Sequence, residues 1–404
     1  MEIPLRVSNK MNIASRWFGS IERTLIRVPQ ELRDKLSLLA GDFISLRTKD
    51  AQLISLQIAT AYKEDMEIST GHAYVTDEIF KLIGIETETG KHEINQVTGI
   101  TLGCDPEFFL VNRWNGQIVH TGKFFHKWGD VGNDHEGWLM EIRPLPSTSE
   151  TVVTNNIYGL LSKAKQAISN SLMLFKDQIM MYAASHYNGM TAGFHLHYGL
   201  PQEILGAAPI QDLIAMQIVK ALDYYVGIPA IIPEGAEDSK RRTQPFIAYG
   251  KPGGYRLDNR TLEYRVPGGS MLRHPVLTRG LLGLGALVVE DMVSRIKEAS
   301  DNFTNLKTIA TNSSVQDLYP HIPQVHDIFY MICSVDLGLA RSRIPSILED
   351  IRMMIGYENR KEAVEGLFKA INEGHQFSSD IEENWRIVRH EIQPGHVDIH
   401  STSL

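Results

Sequence analysis

The first 95 residues alternate between apolar and polar positions over short runs, a pattern typical of β-strands. The alternation is clearest in GDFISLRT and AQLISLQIATAY, and a short helix is predicted after the proline in PQELRDKLSLL. The segment HAYVTDEIFKLIGI repeats this order of strand and helix. We therefore predict a small β-rich domain over residues 1–95, which ends in a polar linker from Glu86 to Gln96.

From about Gly99 the predicted strands alternate with much longer helices. Strands are predicted in ITLGCDPEFFLVN, GQIVH, LMEIRPLP, GFHLHYGLP, GYRL and TLEYRVPGG. Helices are predicted in SETVVTNNIYGLLSKAKQAISNSLMLFKD and IQDLIAMQIVKALDYYVGIP, and the chain is predicted to be mostly helical from about residue 276. Strands in antiparallel order with helices between them indicate an α+β domain over residues 99–404.

Four of these strands carry two polar residues at positions i and i+2, which point to the same face of a strand. The pairs are Asp105 with Glu107, Glu141 with Arg143, His195 with His197, and Glu263 with Arg265. Two acids on one face repel each other unless a cation lies between them, and histidine is the commonest metal ligand. Taken singly, each pair also fits a half-solvated strand or an ordinary pocket or surface histidine.

Taken together, the pairs indicate one site, because a sheet folded around a cleft would bring them to one concave face. The residues predicted to hold divalent cations are Asp105, Glu107, Glu141, His195, His197 and Glu263. The residues predicted to hold anions are Arg143, Arg256, Arg260 and Arg265. Acids and arginines in one site suit phosphate chemistry, in which metals bridge phosphate oxygens and arginine stabilises the transferred group.

Composition narrows the class of protein. The chain has 404 residues, a formal net charge of -8 and two cysteines, Cys104 and Cys333. An acidic chain is a poor general ligand for nucleic acid or for an anionic membrane. The few cysteines, and the absence of an apolar stretch that could act as a signal peptide or span a bilayer, lead us to expect a cytoplasmic enzyme.

The motifs resemble those of the glutamine synthetase and glutamate–cysteine ligase superfamily, and in particular its phage-like type 2 branch of carboxylate–amine (COOH–NH2) ligases. LGCDPEFFL is similar to the acid-Pro-Glu-Phe-Phe strand, and GFHLHYG to the Gly-x-His-x-His strand. TLEYRVPGG and MEIRPLP are similar to the two strands that contain Glu-x-Arg. The resemblance covers roughly Gly99 to Pro275, and the residues before it resemble small β-barrels of the double-psi or swapped-hairpin type.

The resemblance implies an ATP-dependent ligase that forms an amide through an acyl phosphate, with two or three Mg²⁺ or Mn²⁺ ions. The metal ligands that it implies are Asp105, Glu107, Glu141, His195 and Glu263. The catalytic arginines are Arg265, Arg260, Arg256 and Arg143. We assign nucleotide contacts to His197, Arg256 and Tyr249. The substrates would be the carboxylate of an amino acid or peptide and an amine, and the N-terminal domain could recruit a peptide or protein.

The chain departs from the family pattern at three points in the matched region, and three other functions stay open. Asp105 stands where the family has a longer glutamate. The acid that opens the second motif has no clear counterpart, with Asp134 and Glu136 as candidates. The loop that binds ammonium or glutamate is not recognisable, so we do not expect glutamine synthetase activity itself. A metal-dependent amidase would use the same histidines and acids to activate water. A guanidino-type phosphotransferase would share the fold and stop at phosphoryl transfer, and a binding module would use its acidic pairs only structurally.

Overall fold

The computed structural model describes most of the chain. The described residues are 1–8, 10–12, 23–85, 87, 89–97, 99–171, 178–205, 208–243, 249–258, 261–300, 306–312, 314–334 and 336–387. The end of the helix predicted through LMLFKD, the residue Arg260 and the C-terminal tail from residue 388 lie outside this set.

The N-terminal part is a closed barrel of six strands in the order β1-β5-β2-β4-β3-β6. The strands are β1 (Glu2–Val7), β2 (Leu25–Val28), β3 (Phe43–Arg47), β4 (Leu53–Thr60), β5 (Ala73–Val75) and β6 (Thr89–Gln96). Short helices cover Gln30–Leu36, Lys63–Ile68 and Asp77–Leu82. The first and third of these confirm the helices predicted in the two strand-then-helix segments.

The predicted linker is wrong, because most of it forms strand β6, which closes the barrel by pairing with both β1 and β3. Only Ile94 of this strand is buried. A strand that presents one apolar side chain to the core gives almost no alternation to detect, and its place is held by backbone hydrogen bonds to two neighbours.

The second part is built on a seven-stranded sheet in which every pairing is antiparallel. Its strands are β7 (Thr101–Asn112), β8 (Val131–Asp134), β9 (Leu139–Ile142), β10 (Ile179–Tyr182), β13 (Phe194–Gly199), β14 (Tyr255–Asp258) and β15 (Thr261–Tyr264). A separate hairpin joins β11 (His186–Tyr187) and β12 (Met190–Thr191). The main order is β14-β15-β13-β7-β9-β8, with β10 on the far half of β7. The strand predicted in GQIVH is reduced to an isolated bridge between Ile118 and Val111. Two backbone hydrogen bonds flank this bridge, from Asn112 to Gln117 and from Val119 to Leu110.

Helices cover one face of this sheet. They are Glu150–Ser171, Gln202–Leu205, Ala208–Leu222, Ile228–Ser239, Pro275–Ala299, Leu306–Asn312, Val315–Leu318, Val325–Cys333, Leu337–Arg352, Tyr357–Glu373 and Ile381–Asn384. A π-helical turn, Asp223–Gly227, joins the third helix to the fourth. Among the described residues, the helical run Ile210–Arg242 is long and apolar enough to cross a membrane, and 89% of its most apolar stretch is buried inside the protein.

Where the polar pairs lie, the sheet therefore has an apolar face against the helices and a polar face opposite. At the far half of β7 the opposite face is apolar as well, because Phe109 and Val111 belong to a second, smaller hydrophobic cluster. Leu196, Tyr198, Leu262 and Met140 alternate with the polar pairs along their strands and join the main hydrophobic core. This arrangement confirms the predicted α+β class with a barrel before it. The division into domains at residues 95 to 99 stays a prediction.

Candidate functional site

The pairing register of the sheet brings the polar pairs together. His195 on β13 lies directly opposite Asp105 on β7, and His197 lies opposite Glu263 on β15. On the outer strands the same register places Arg256 opposite Glu263 and Glu107 opposite Glu141. Directly opposed residues on one face have Cβ atoms about 5 Å apart, so five neighbouring strands contribute to one cluster.

The centre of the cluster is formed by Asp105, His195 and Glu263. His195 Nδ1 lies 3.0 Å from Asp105 Oδ1 and 3.5 Å from Glu263 Oε1. One donor atom from each of the three residues lies within 4.8 Å of the others. His197 lies at the rim, with Nε2 3.1 Å from Asp105 Oδ2.

Charge and burial oppose each other in this group. Burial acts to raise the pKa of Asp105, but His197 and His195 outweigh it and hold the pKa of that carboxyl well below its usual range. Burial acts to lower the pKa of His195, but Asp105, Glu107 and Glu263 raise it above the usual value. Without another cation, a proton on His195 is therefore the charge that balances the acids.

Tyr249 fixes the other side of the histidine ring. His195 Nε2 lies 2.5 Å from the Tyr249 hydroxyl, which donates to the Glu107 carboxylate at 3.4 Å. When the hydroxyl proton goes to Glu107, the hydroxyl oxygen accepts the proton on Nε2. Nδ1 faces Asp105 and Glu263, so a bound cation that replaced the Nδ1 proton would meet a lone pair there. A histidine oriented in this way by a hydrogen bond on its far nitrogen is typical of metal sites.

A second pair of acids, Glu107 and Glu141, lies beside this centre. Both are at least nine-tenths buried. The backbone N–H of Gly193 donates to Glu107 Oε2 at 2.6 Å. Burial nevertheless raises the pKa of Glu107, and the neighbouring carboxylates of Asp105 and Asp134 raise it further. Repulsion of this kind between buried acids is what a divalent cation would relieve.

The predicted arginines lie in contact with the acids. Arg256 Nε and Arg265 Nε each lie 3.1 Å from a Glu263 oxygen. The side chain of Arg143 contacts Glu141 and donates to the carbonyl of Gly129 at 2.9 Å. The structure thus brings three of the four predicted arginines to the cluster, and the fourth, Arg260, lies outside the described residues.

Sequence reasoning did not select a buried ion-pair group behind Tyr249. Glu234 is wholly buried between Arg241 and Arg242, with oxygen-to-nitrogen distances of 3.0 and 2.6 Å. Both guanidinium groups also donate to the carbonyl of Val266, which follows Arg265. Two adjacent arginines shortly before a selected tyrosine were the only available signal.

Asp134 was named only as an alternative to Glu136, and the structure separates the two. Asp134 lies at the end of β8, near enough for its charge to raise the pKa of Glu107. Glu136 is exposed in a turn with φ of 57°. Asp134 is therefore the acid of this loop that lies near the cluster.

The donor set fits a hard divalent cation. Asp105 Oδ1 and His197 Nε2 are buried and have no well-formed hydrogen bond among the described residues. Carboxylate oxygens with one imidazole nitrogen are ligands that Mg²⁺ and Mn²⁺ accept. Asp105, His195 and Glu263 would hold such an ion.

A protein-family comparison identifies the chain. The model of the phage phiEco32-like COOH.NH2 ligase-type 2 family matches residues 102–387. The chain belongs to this family. The predicted resemblance to the carboxylate–amine ligases is thereby confirmed, and the match includes every strand that contributes to the cluster. No curated protein matches the chain.

Solved structures of other ligases are similar to this member of the family at low identity. A bifunctional glutathione synthetase from Pasteurella multocida is 10% identical over 69% of this chain and 56% of its own, with a TM-score of 0.36. Glutamate–cysteine ligase from Francisella tularensis, in complex with AMP, is 9% identical over 72% of this chain and 92% of its own, with a TM-score of 0.31. The rationally designed mkDPBB_sym1 protein is 20% identical over 24% of this chain and 100% of its own, with a TM-score of 0.19.

Proposed function

We propose that this carboxylate–amine ligase uses ATP and a divalent metal to form an amide bond through an acyl phosphate. The observation that carries the proposal is the meeting of acids and arginines on one face of the sheet. Arg256 and Arg265 flank Glu263, which belongs to the same group of donors as Asp105 and His195. Hydrolysis of an amide needs a metal and water but no such flanking cations.

The proposed reaction has two steps. A carboxylate oxygen of the first substrate attacks the γ-phosphorus of ATP, and ADP leaves as the new oxygen–phosphorus bond forms. The amine nitrogen then attacks the acyl carbon, the carbon–oxygen bond to phosphate breaks, and the amine loses a proton. A bound Mg²⁺ or Mn²⁺ would supply positive charge that neutralises the phosphate oxygens.

The residues of the site have separate roles in this proposed reaction. Asp105, His195 and Glu263 are proposed as one cation site, and Glu107 with Glu141 as a second. Arg265 and Arg256, with Arg260, neutralise the transferred phosphoryl group, because a guanidinium offers a bidentate match to phosphate oxygens. Arg143 holds Glu141 in place.

Two assigned nucleotide contacts take a more specific form in this proposal. Tyr249 is tied to His195 and Glu107, so we assign it to orienting the cation site beside the phosphates. His197 is partly exposed at the rim, with Nε2 turned to Asp105, and we keep it as the nucleotide contact next to the cation site. We also place the enzyme in the cytoplasm, where ATP is available.

The first test measures metal binding, which needs no knowledge of the substrates. We expect Mn²⁺ to bind the wild-type protein in calorimetric titration, and Glu263→Gln to weaken the binding about tenfold or more. Glu298→Gln makes the same change at an exposed position of the helix Pro275–Ala299 and should leave Mn²⁺ binding unchanged. Equal affinity in all three proteins would remove Glu263 from the site.

The second test measures chemistry. Purified protein with ATP, Mg²⁺ and pools of amino acids and short peptides should release ADP and phosphate together with an amide product. Glu263→Ala should abolish this turnover. Release of ADP without an amide, but with a phosphorylated acceptor, would favour the phosphotransferase. Cleavage of amides in the absence of ATP would favour the hydrolase.

A further inference from the structure

The chain that leaves strand β9 runs directly into the N-terminal barrel. Leu145 is 3% exposed and belongs to the hydrophobic core of the barrel. The N–H of Ser55 on β4 donates to the carbonyl of Pro146 at 2.7 Å. The hydroxyl of Ser147 donates to the carbonyl of Leu53 at 2.6 Å. The barrel is thus completed by a side chain from the second part of the protein.

The other edge of this segment is bonded to the catalytic sheet. Leu102 on β7 and Ser147 exchange two backbone hydrogen bonds, of 2.7 and 2.9 Å. The segment therefore lies between β4 of the barrel and β7, the strand that carries Asp105 and Glu107. A movement of the barrel relative to the sheet would have to break contacts on one side or the other.

Arg23 is a charged contact across this boundary. It precedes β2, its side chain is 9% exposed, and it forms a bidentate pair with Glu78 at 2.6 and 2.7 Å. Its Nη1 donates to the backbone carbonyl of Arg143 at 3.3 Å, and its Nη2 lies 4.0 Å from Asp130. The barrel thus places one guanidinium group against two residues at the edge of the site.

Arg143 and Asp130 connect Arg23 to the cluster through hydrogen bonds. The N–H of Arg143 donates to the carbonyl of Asp130 at 2.8 Å, and the Arg143 side chain donates to Gly129 and contacts Glu141. Asp130 also pairs with Lys163 at 2.6 Å. Burial acts to raise the pKa of Asp130, but Arg23 and Lys163 lower it and keep the carboxylate charged.

We infer that Arg23 is a positioning residue of the active site, through which the barrel holds Arg143 and, by way of Arg143, the carboxylate of Glu141. The barrel is then a fixed part of the catalytic unit, in addition to any role in recruiting a substrate. Charged hydrogen bonds from a fork such as this one are directional, so they specify the position of the Arg143 backbone in a way that apolar packing around Leu145 alone does not.

Hydrogen exchange gives the first test, because it does not depend on activity. In Arg23→Lys and Arg23→Ala we expect the amides of Val131 and Arg143, both bonded to Asp130, to exchange about tenfold faster than in the wild type. Amides of β3 and β4 should keep their protection. Arg47→Ala, which removes an exposed barrel arginine bonded to Ala51 in its own hairpin, should change neither set.

The kinetic test rests on the proposed function. We expect Arg23→Ala to lower kcat about 10- to 100-fold, with KM for ATP changed about twofold or less, and Arg23→Lys to restore part of the loss. Glu78→Gln, which loosens Arg23 without removing it, should lie between Arg23→Lys and the wild type. Unfolding would also lower the apparent kcat at an unchanged KM, so hydrogen exchange in the barrel separates the two causes. Positioning leaves the protection of β3 and β4 intact, whereas unfolding lowers it in proportion to the lost activity.

The outcomes are distinguishable. Unchanged exchange at Val131 and Arg143 in both Arg23 variants would overturn the inference, whatever the enzyme does with ATP. Loss of protection throughout the barrel in Arg23→Lys would also overturn it, because Arg23 would then serve the barrel alone. Faster exchange at those two amides, in a protein that shows no ATP-dependent turnover at all, would support the inference and contradict the proposed function.

Discussion

Asp223 should make the stability of this protein depend on pH. It lies in the π-helical turn and is 4% exposed. Its two oxygens accept hydrogen bonds from the Gly253 N–H at 2.7 Å and the Tyr264 hydroxyl at 2.9 Å, but no cation faces it among the described residues. Burial raises the pKa of Asp223 from 3.8 to about 7, and the two hydrogen bonds oppose the rise without cancelling it.

The sign and size of the effect follow from this pKa. Because the folded state binds the proton more tightly, the stabilisation is fully present below pH 3.8 and is lost as the pH rises through about 7. The total is about 4 kcal/mol at about 1.4 kcal/mol per pKa unit, of which about 3 kcal/mol is lost between pH 5 and pH 8.

The assay compares the wild type with Asp223→Asn by urea unfolding at both pH values. The asparagine cannot ionise, so its cost does not change with pH. The wild type should therefore lose about 3 kcal/mol relative to the variant between pH 5 and pH 8. The exposed Asp50→Asn should show no such change. A wild-type-to-variant difference that is equal at both pH values would refute the reasoning, because Asp223 would then ionise as an exposed carboxyl does.

Three further substitutions test the surroundings of the cluster. Tyr249→Phe removes the partner of His195 Nε2 and should weaken Mn²⁺ binding about 10- to 100-fold in titration at unchanged melting temperature; unchanged affinity would contradict it. Glu234→Gln leaves the buried guanidinium charge of Arg241 without a counter-ion, so it should lower the free energy of unfolding in urea by about 3 to 5 kcal/mol. A loss under about 1 kcal/mol would contradict this, because it is typical of an ion pair that is exposed to solvent. Gly250→Ala forces a side chain at φ of 72° against the Arg241 guanidinium, so we expect a lower melting temperature and lower turnover, and an unaltered enzyme would show that this loop relaxes freely.

The polar face of the sheet could be predicted because alternation is a local property. Asp105 and Glu107, or His195 and His197, share a face in any extended strand. Which of these pairs come together is not local. That His195 lies opposite Asp105, and Glu107 opposite Glu141, depends on the register of strands far apart in the chain.

Register also changes the interpretation of Asp105. From the sequence, its side chain is one methylene shorter than the glutamate of the family. In the structure it lies directly opposite His195, and its Oδ1 is 3.0 Å from the imidazole. A short side chain reaches this partner because the two backbones are already hydrogen-bonded neighbours. The geometry therefore places Asp105 in the central group, with Glu107 two residues further along the strand.

Features without a periodic signal could not be predicted. Strand β6 has a single buried residue, Ile94, and the barrel needs Leu145 from after β9 to complete its core. Glu234 looks like an ordinary polar position of a helix, yet its side chain is wholly buried. Ile94 and Leu145 are specified by tertiary partners that the neighbouring sequence does not reveal. The partners of Glu234 are close in sequence, but their spacing does not predict that all three side chains of the ion-pair group are buried.

Substitution of Arg256 tests whether its guanidinium only pairs with Glu263 or also binds a phosphate. Its side chain is 60% exposed, and Nε lies 3.1 Å from Glu263. An ion pair this exposed contributes about 1 kcal/mol at most, so Arg256→Ala should hardly change the urea midpoint. If the guanidinium moves to the transferred phosphoryl group, the same change should lower kcat about 100-fold or more. Arg256→Lys, which keeps the charge and loses the bidentate fork, should be intermediate, and Arg343→Ala, at an exposed position of the helix Leu337–Arg352, should retain full turnover. Full turnover in Arg256→Ala would leave Arg256 no role beyond its pairing with Glu263.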